Sequence, residues 1–256
     1  MIHSEPGLYS LNNGIDWESI EEGETFQTIT DSSKALIAWD LKSIAGNKFK
    51  NMGSGGEIFD GVLNPKSGEV QLVSGGVKFT ENACVTTGYA LSNVAAFTVA
   101  IKMREIVDNP QNVFGRVFRG SGDCPSIYAA TPVNGGCLNV KLSGNKSVDA
   151  AYTYTNEAEG LQINAKSTHV LWDTRMSGIT MLNQSHVFAF SGNGTDLNYY
   201  RDGMLLASQK QILKAEAVNI GVGETGTTNY SLKSFILEKF LVYDMALPLE
   251  EIRKIV

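Results

Sequence analysis

The chain lacks several features that would assign it at once to a specialised class. It contains three cysteines among 256 residues, an odd and small number that does not suit a disulfide framework. Charged residues make up 19% of the chain, and the net charge of −6 gives no electrostatic reason to bind nucleic acid or an anionic membrane. No apolar run approaches the ~18 residues of a membrane-spanning helix, so we expect no membrane insertion.

Several catalytic and metal-binding patterns are also missing. No cysteine or histidine pair has zinc-site spacing, no Gly-Lys pair could form a phosphate-binding loop, and no G-x-S-x-G motif occurs. Cys124 and Cys137 could bridge a hairpin, although we favour buried free thiols for all three cysteines. His169 and His186 stand at the starts of predicted strands, and we interpret them as structural residues rather than catalytic bases.

The beginning of the chain differs from the rest. Residues 1–33 are acidic, rich in turn-forming residues and weakly periodic, which predicts an N-terminal arm. They show no basic segment followed by an apolar one, so we expect no secretory signal and synthesis in a cytoplasm. The periodic part, residues 34–256, is long enough for one large sandwich domain. Within it, the polar stretch 143–168 is predicted to be an insertion at one end.

The segment HVFAFSGNGTDLNYYRDGMLLAS, residues 186–208, predicts three antiparallel strands. Its apolar residues alternate with the two-residue period of a strand. Asp202-Gly203 lies between apolar runs and predicts a tight type I′ hairpin, because that turn needs positive φ at both central residues. The polar residues from Ser191 to Asp196 predict a looser loop. Similar strand signals recur along the chain, so the expected class is all-β: a two-sheet antiparallel jelly-roll sandwich.

The C-terminal part combines a strand with the one convincing helix. LPLEEIRKIV, residues 247–256, has acidic residues in its first turn and basic residues near its end, as the helix dipole favours. The preceding strand, SFILEKFLVY, is apolar on both faces. Alternation predicts one face with Leu237, Leu241 and Tyr243 and the other with Ile236, Phe240 and Val242. The outer face therefore needs a cover, which could be the C-terminal helix, the N-terminal arm or a neighbouring subunit.

The order of these motifs resembles a known family. ALIAWDL, GVKFTENACVTT, FTVAIKMRE, HVFAFSGNGTDLNYYRDGMLLA, VNIGVG and LEKFLVYDMALPLEEI resemble the successive strands and terminal helix of a laminin G-like jelly roll of the concanavalin A-like lectin and glucanase superfamily. The resemblance covers about residues 34–256. It implies that Asp202-Gly203 is a fold determinant and that Tyr200 packs in the core. The chain departs from the family at Leu241, where a charge is preferred, and at Pro248, where Ser or Thr is preferred.

The resemblance argues against catalysis. Glucanases of the superfamily carry E-x-D-x-x-E on one strand, which sets two carboxyl groups at the ~5–5.5 Å separation of a retaining site. This chain contains no E-x-D and no D-x-D. Glu157 and Glu159 form a near relative of the pattern, but their polar surroundings indicate solvated loop carboxylates. We therefore expect no enzyme, and a glycoside hydrolase is the weakest of the candidate functions.

Ligand binding is the activity that the resemblance implies. Laminin G-like modules often hold calcium between loops at a sheet edge, so calcium is a candidate ion that Asn193 and Asp196 could bind. No other cofactor is expected. Tyr152 and Tyr154, in the polar insertion, are candidates for stacking against sugars.

The resemblance extends to accessory proteins of bacteriophage virions. It predicts a non-catalytic structural or adhesion module of a virion tail, baseplate or head surface, made in the host cytoplasm and contacting host glycans. Its partners would be other virion proteins or further copies of itself, and Trp17, Phe26 and Leu241 are the predicted assembly contacts. A stand-alone carbohydrate-binding lectin is the alternative.

Overall fold

The computed structural model describes residues 34–63, 69–80, 83–89, 96–107, 114–120, 126–130, 137–141, 153–154, 161–163, 170–173, 183–210, 218–221 and 234–255. The predicted arm at 1–33 lies outside these residues. So do Cys124, His169, Glu157, Glu159 and most of the predicted insertion at 143–168. Cys84 is a buried free thiol, as predicted for that residue.

The described residues form a succession of strands that ends in a helix. In chain order, the elements are β1 (Ile37–Ala38), β2 (Lys48–Phe49), a 3₁₀ turn (Gly56–Phe59), β3 (Gly61–Leu63), β4 (Val70–Val73), β5 (Gly76–Thr80), β6 (Cys84–Thr86), β7 (Phe97–Val107), β8 (Phe114–Gly120), β9 (Ser126–Ala130), β10 (Cys137–Lys141), β11 (Thr153–Tyr154), β12 (Leu161–Ile163), β13 (Val170–Asp173), β14 (His186–Gly192), β15 (Asp196–Arg201), β16 (Met204–Lys210), β17 (Val218–Gly221), β18 (Ser234–Tyr243) and α1 (Leu249–Lys254). None of the helices in these parts of the chain has both the length and the apolar character to cross a bilayer.

The strands form two nine-stranded sheets. The first has the order β11-β16-β15-β14-β7-β18-β5-β4, with β1 also paired to β18, and the second has the order β12-β13-β10-β9-β8-β17-β6-β3-β2. Neighbouring strands pair antiparallel in both sheets. The predicted two-sheet antiparallel sandwich with a short C-terminal helix is confirmed.

Aromatic side chains fill the space between the two sheets. Phe49 of the second sheet and Phe79 and Phe235 of the first belong to one hydrophobic cluster, and each is at most 1% exposed. The rings of Phe79 and Phe235 stack with centroids 4.7 Å apart. Burying a side chain of this size contributes about 1.5–3 kcal/mol, so these residues fasten the sheets together.

The two turns of the 186–208 segment differ in how well the sequence predicted them. Asp202 and Gly203 have φ of +49° and +74° and join Arg201 to Met204 directly, which confirms the type I′ hairpin. The loop from Ser191 to Asp196 is not loose, contrary to the prediction. β14 continues to Gly192 and β15 begins at Asp196. The turn between them is three residues long because the Asn193 side chain closes it.

The strand β18 corrects a second prediction. Leu237 does not share a face with Leu241 and Tyr243: it lies in the core between the sheets together with Phe240 and Val242. The register of β18 against β7 shifts immediately after Leu237, as in a β-bulge. One inserted residue reverses the alternation of side chains beyond it.

The helix α1 covers the outer face of the first sheet. Leu241 and Tyr243 of β18 form a cluster there with Ile252 and Ile255 of the C-terminal segment. Leu241 is 4% exposed. Within the part of the chain that the structure describes, the C-terminal helix therefore lies over Leu241.

Candidate binding site

The first sheet has a gap beside β18. On one side, β18 pairs throughout its second half with β7. On the other, β5 pairs with Ser234–Leu237 and β1 pairs with Leu241 and Val242. Among the described strands, none pairs with residues 238–240 on that side. Two short strands thus share one position in the sheet and leave the middle of β18 open between them.

A groove of about 950 Å³ occupies this gap, and we call it the sheet-gap groove. Its floor is formed by residues 238–241 of β18, one wall by residues 38–42 with Met52, and the other wall by the β4–β5 hairpin. Leu72 and Met52 are 49% and 56% exposed, so the groove has apolar surface beside its charged side chains.

Asn51 holds the first wall in place. Its Oδ1 accepts a hydrogen bond from the Ala38 backbone N–H at 2.8 Å, and its Nδ2 donates to the carbonyl oxygens of Leu36 and Gly56 at 3.1 Å. Asn51 is 5% exposed. This buried side chain adds to the backbone hydrogen bonds that join the two segments, from the Asp40 N–H to the Lys50 carbonyl and from the Met52 N–H to the Ala38 carbonyl.

The second wall depends on a glycine. A Cβ atom on Gly76 would lie 2.3 Å from the backbone oxygen of Leu237, which is well inside van der Waals contact. Only glycine lets β5 approach β18 so closely where the bulge of β18 begins. The glycine therefore lies where β5 begins and borders the groove.

Two irregular glutamates are linked to the groove, Glu238 in its floor and Glu105 in β7 on the other side of β18. Glu238 follows the point where the register of β18 shifts, and Glu105 interrupts the facing part of β7 with a φ of +52°. Positive φ is costly for a residue with a side chain. Both carboxylates contact the Arg104 guanidinium group, Glu238 at 2.9 Å from Nε. Arg104 also donates to the Ser74 carbonyl oxygen at 2.8 Å, which ties this cluster to the β4–β5 hairpin.

The two carboxylates that line the groove are bonded to protein groups. Asp40 accepts hydrogen bonds from the Lys42 backbone N–H and the Ser43 hydroxyl, both at 2.9 Å. These bonds, the backbone one first, lower the pKa of Asp40. Glu238 contacts Arg104 through one carboxylate oxygen and the Ser185 hydroxyl through the other.

The two lysines of the groove are less engaged. Lys42 is exposed, and its ammonium group forms no salt bridge with any residue that the structure describes. Lys239 is half-buried and its Nζ donates to the Ile255 carbonyl oxygen at 3.3 Å, just beyond α1. Burial first, and the nearby charge of Lys102 second, lower the pKa of Lys239.

The residues predicted to bind ligands lie away from this groove. Asn193 and Asp196 are exposed in the β14–β15 turn, and Tyr154 lies in β11 at the edge of the first sheet. β11 is five strand positions from β18, roughly 24 Å at ~4.8 Å per strand. Tyr154 and Asp196 lie nearer to each other, because β16 pairs with both β11 and β15. Two strand spacings and an offset of three residues along the strand separate their backbones by roughly 14 Å. Tyr152 lies outside the described residues.

The Asn193 side chain has a structural task in its turn. Its Oδ1 accepts hydrogen bonds from the backbone N–H groups of Thr195 and Asp196, at 2.8 and 2.7 Å. The oxygen that was considered for calcium is thus used within the turn. Among the described residues, no three His, Cys, Asp or Glu side chains are grouped so as to hold a metal ion. A calcium site stays a prediction.

Of the three predicted assembly contacts, the structure describes one. Trp17 and Phe26 lie outside the described residues. Leu241 is buried beneath α1, so a contact there would require the helix to move away. The packing interpretation of Tyr200 agrees with its 7% exposure, and buried His186 is hydrogen-bonded to Asp202.

Apart from Leu241, which the sequence analysis names as an assembly contact, the groove residues were missed at the sequence level, although a signal was present. Glu238 and Lys239 are the two charged residues in an otherwise apolar ten-residue strand. Two adjacent charges break the alternation of a buried strand, and such an interruption is typical of a bulge. Lys42 and Arg104 offered no comparable signal.

The fold is similar to receptor-binding domains of neurotoxins. The binding domain of botulinum neurotoxin DC in complex with SialylT matches with 10% sequence identity over 88% of this chain and 51% of that chain, with a TM-score of 0.54. The serotype D binding domain matches with 11% identity over 88% and 51%, also with a TM-score of 0.54. Botulinum neurotoxin type C, whose cell entry depends on interaction with two ganglioside molecules, matches with 12% identity over 90% and 52%, with a TM-score of 0.56.

These likenesses concern the fold. This chain spans about half the length of the chains it matches. No family model and no curated protein sequence matches it.

Proposed function

We propose that the protein is a non-catalytic carbohydrate-binding module and that the sheet-gap groove holds the sugar. The observation that carries this proposal is the groove itself, at a gap in the sheet where the register of β18 shifts next to Glu238; Arg104 links Glu238 to Glu105, at positive φ in β7 on the other side of β18. Bulges and strained backbone cluster at functional sites, where the surrounding structure must maintain them. Here, Arg104 and the β4–β5 hairpin maintain them.

The chemistry of the groove suits a sugar. Binding sites combine apolar surface with a few placed polar groups. Leu72 and Met52 offer apolar surface for the C–H face of a sugar ring, and Lys42 and Lys239 offer donors to its oxygen atoms. The similar neurotoxin domains support the proposal at the level of the fold, since one is in complex with SialylT and the cell entry of another depends on ganglioside molecules.

The state of the groove carboxylates supports binding without catalysis. A retaining hydrolase needs two carboxyl groups about 5–5.5 Å apart and directed at the substrate. The two groove carboxylates, Asp40 and Glu238, are instead hydrogen-bonded to protein groups. We therefore propose that bound glycans are released unchanged.

For its setting, we propose the surface of a bacteriophage virion, where the module would contact host glycans next to other virion proteins or further copies of itself. Support comes from the acidic, weakly periodic segment 1–33 that precedes the sandwich and from the motif resemblance. Mass spectrometry of purified particles should detect the protein in stoichiometric amount. Its absence from particles would leave the stand-alone lectin as the setting.

A glycan array tests the binding function. The full chain should retain a defined subset of glycans, and Leu72→Asp should lose that binding because it places a charge on the apolar wall. Ile58→Asp is the matched control: Ile58 is 78% exposed and does not line the groove. Absence of glycan binding by the unmodified protein would refute the function. Equal binding by both variants would move the site elsewhere, first to the region of Tyr154 and Asp196.

A further inference from the structure

Building on the proposed function, we infer that the sheet-gap groove selects sugars that carry an anionic group, a carboxylate or a sulfate. The inference depends on which charges of the groove are already neutralised by the protein and which can still meet a ligand.

The balance of charge in and around the groove is positive. The carboxylates that line it or adjoin it are Asp40, Glu105 and Glu238. The cations are Lys42, Lys50, Lys102, Arg104 and Lys239. The lining itself carries two of these acids, Asp40 and Glu238, and two of the bases, Lys42 and Lys239. The other bases named adjoin it, and Lys102 directly faces Lys239 across the β7–β18 pair.

The acids are also bonded more fully than the lysines. Arg104 contacts both Glu105 and Glu238, and Asp40 is held by its own turn. The Lys239 ammonium group donates to the Ile255 carbonyl oxygen at 3.3 Å, and an ammonium group has three donors. Among the charged side chains of the groove, the donors of the two lysines are therefore the ones least used by the protein.

The position of Lys239 makes it suitable for binding an anion. It is half-buried in the groove floor, and its cross-strand partner in β7 is Lys102, another cation. An anion placed between such groups relieves their repulsion. The attraction between the anion and the lysine ammonium groups is also stronger at a partly buried site than in open water. Lys42, on the wall, could contact the same anionic group from the opposite side.

The experiment compares matched glycans on the full-length chain. Neutral, carboxylated and sulfated forms of the same oligosaccharides are immobilised, and binding is measured at low and at physiological salt. We expect the acidic forms to bind at least about tenfold more tightly than the neutral ones, the difference expected from one charge-assisted hydrogen bond. Added salt should reduce that difference. A preference between the carboxylated and sulfated forms identifies which anionic group, carboxylate or sulfate, the groove selects.

Variants assign the effect to the groove. Lys42→Ala combined with Lys239→Met should weaken binding of the acidic forms about tenfold or more, and should weaken binding of the neutral forms less, because those lose only donors to uncharged oxygens. Lys48→Ala is the control, because Lys48 is an exposed lysine of the second sheet that does not line the groove. Circular dichroism checks that each variant is folded.

The outcomes separate this inference from the proposed function. If neutral and acidic forms bind equally, the protein is still a glycan-binding module but the anion selectivity is refuted. If acidic forms are preferred and the double variant binds them as well as the unmodified protein, the groove is not the anion site. If no glycan binds, the proposed function itself fails.

Discussion

The imidazole Nδ1 of His186 lies 2.8 Å from the Oδ2 atom of Asp202. The other carboxylate oxygen of Asp202 accepts a hydrogen bond from the Val187 backbone N–H at 2.9 Å, and the Asp202 N–H donates to the Val187 carbonyl at 2.8 Å. One turn residue therefore fastens the β15–β16 hairpin to the first residues of β14. This arrangement compensates for the positive φ of Asp202, an unfavourable backbone conformation for most residues.

Replacement of Asp202 should separate these contributions. Asp202→Ala removes both side-chain contacts and keeps the strained φ, so we expect a loss of roughly 2–3 kcal/mol in the free energy of unfolding. Asp202→Asn keeps an acceptor for the Val187 N–H and tolerates positive φ, so it should lose less than half as much. Urea denaturation measures both. Equal losses for the two variants would mean that the charge on Asp202, not its hydrogen-bond geometry, stabilises the turn.

Gly203 should be sensitive for two reasons. Its φ is +74°, and a Cβ atom there would lie 2.8 Å from Cγ of Arg253 in α1. Gly203→Val should lower the free energy of unfolding by roughly 1–3 kcal/mol. Gly46→Val is a matched control for backbone strain alone, because Gly46 has a φ of +64° and nothing within 4 Å of its Cβ position. If Gly46→Val loses less stability than Gly203→Val, the difference measures the cost of the clash with Arg253 of α1. If Gly203→Val loses no stability, the turn assignment is contradicted.

Thr98 should control how α1 is attached. Its hydroxyl accepts a hydrogen bond from the Leu247 N–H and donates one to the Met245 carbonyl, both at 2.9 Å, in the segment that leads into the helix. Thr98→Val keeps the shape but leaves these backbone groups unpaired, at a cost of about 1–3 kcal/mol. Hydrogen exchange in α1 should become faster, whereas Thr98→Ser should restore much of the protection. Unchanged exchange in the valine variant would show that helix packing alone is sufficient.

Lys239→Met should have a pH-dependent effect on stability. Burial lowers the pKa of Lys239 in the folded state below its value of 10.5, and the facing groups are Lys102, Glu238 and the Ile255 carbonyl. Between the lowered pKa and 10.5 the unfolded chain holds a proton that the folded chain lacks, so the stability of the unmodified protein rises with pH in that window.

The methionine variant has no such rise. It should therefore be more stable than the unmodified protein at neutral pH, and the difference should shrink as pH approaches 10.5. Thermal denaturation at several pH values measures the difference. A methionine variant that is less stable at neutral pH would mean that the bond to Ile255 outweighs the cost of burying the charge.

Local chemistry explains what could be predicted from the sequence. The Asp202-Gly203 turn needs nothing beyond its two residues and their apolar flanks, and it is present as predicted. The same holds for α1, where the acidic residues Glu250 and Glu251 precede the basic residues Arg253 and Lys254. Strand alternation likewise gave the class of the fold.

Features that depend on distant strands were not predictable in this way. The face of Leu237 was wrongly assigned because the bulge after it arises from pairing with β7, about 130 residues earlier in the sequence. The loop at Asn193 was judged loose from its polar composition, whereas two hydrogen bonds to Asn193 close it. The sheet-gap groove needs β1 and β5 to meet the same strand, and no local pattern contains that information.

The shared place of β1 and β5 beside β18 has a consequence for biosynthesis. The strand β18 pairs with β1, β5 and β7. These three strands leave the ribosome long before β18 is synthesised. Until residues 234–243 emerge, the nascent chain holds strands whose edges have no partner, and such edges favour aggregation. The first sheet can close only late in translation. We therefore expect ribosome-bound chains that end before Ser234 to depend on chaperones that shield open strands.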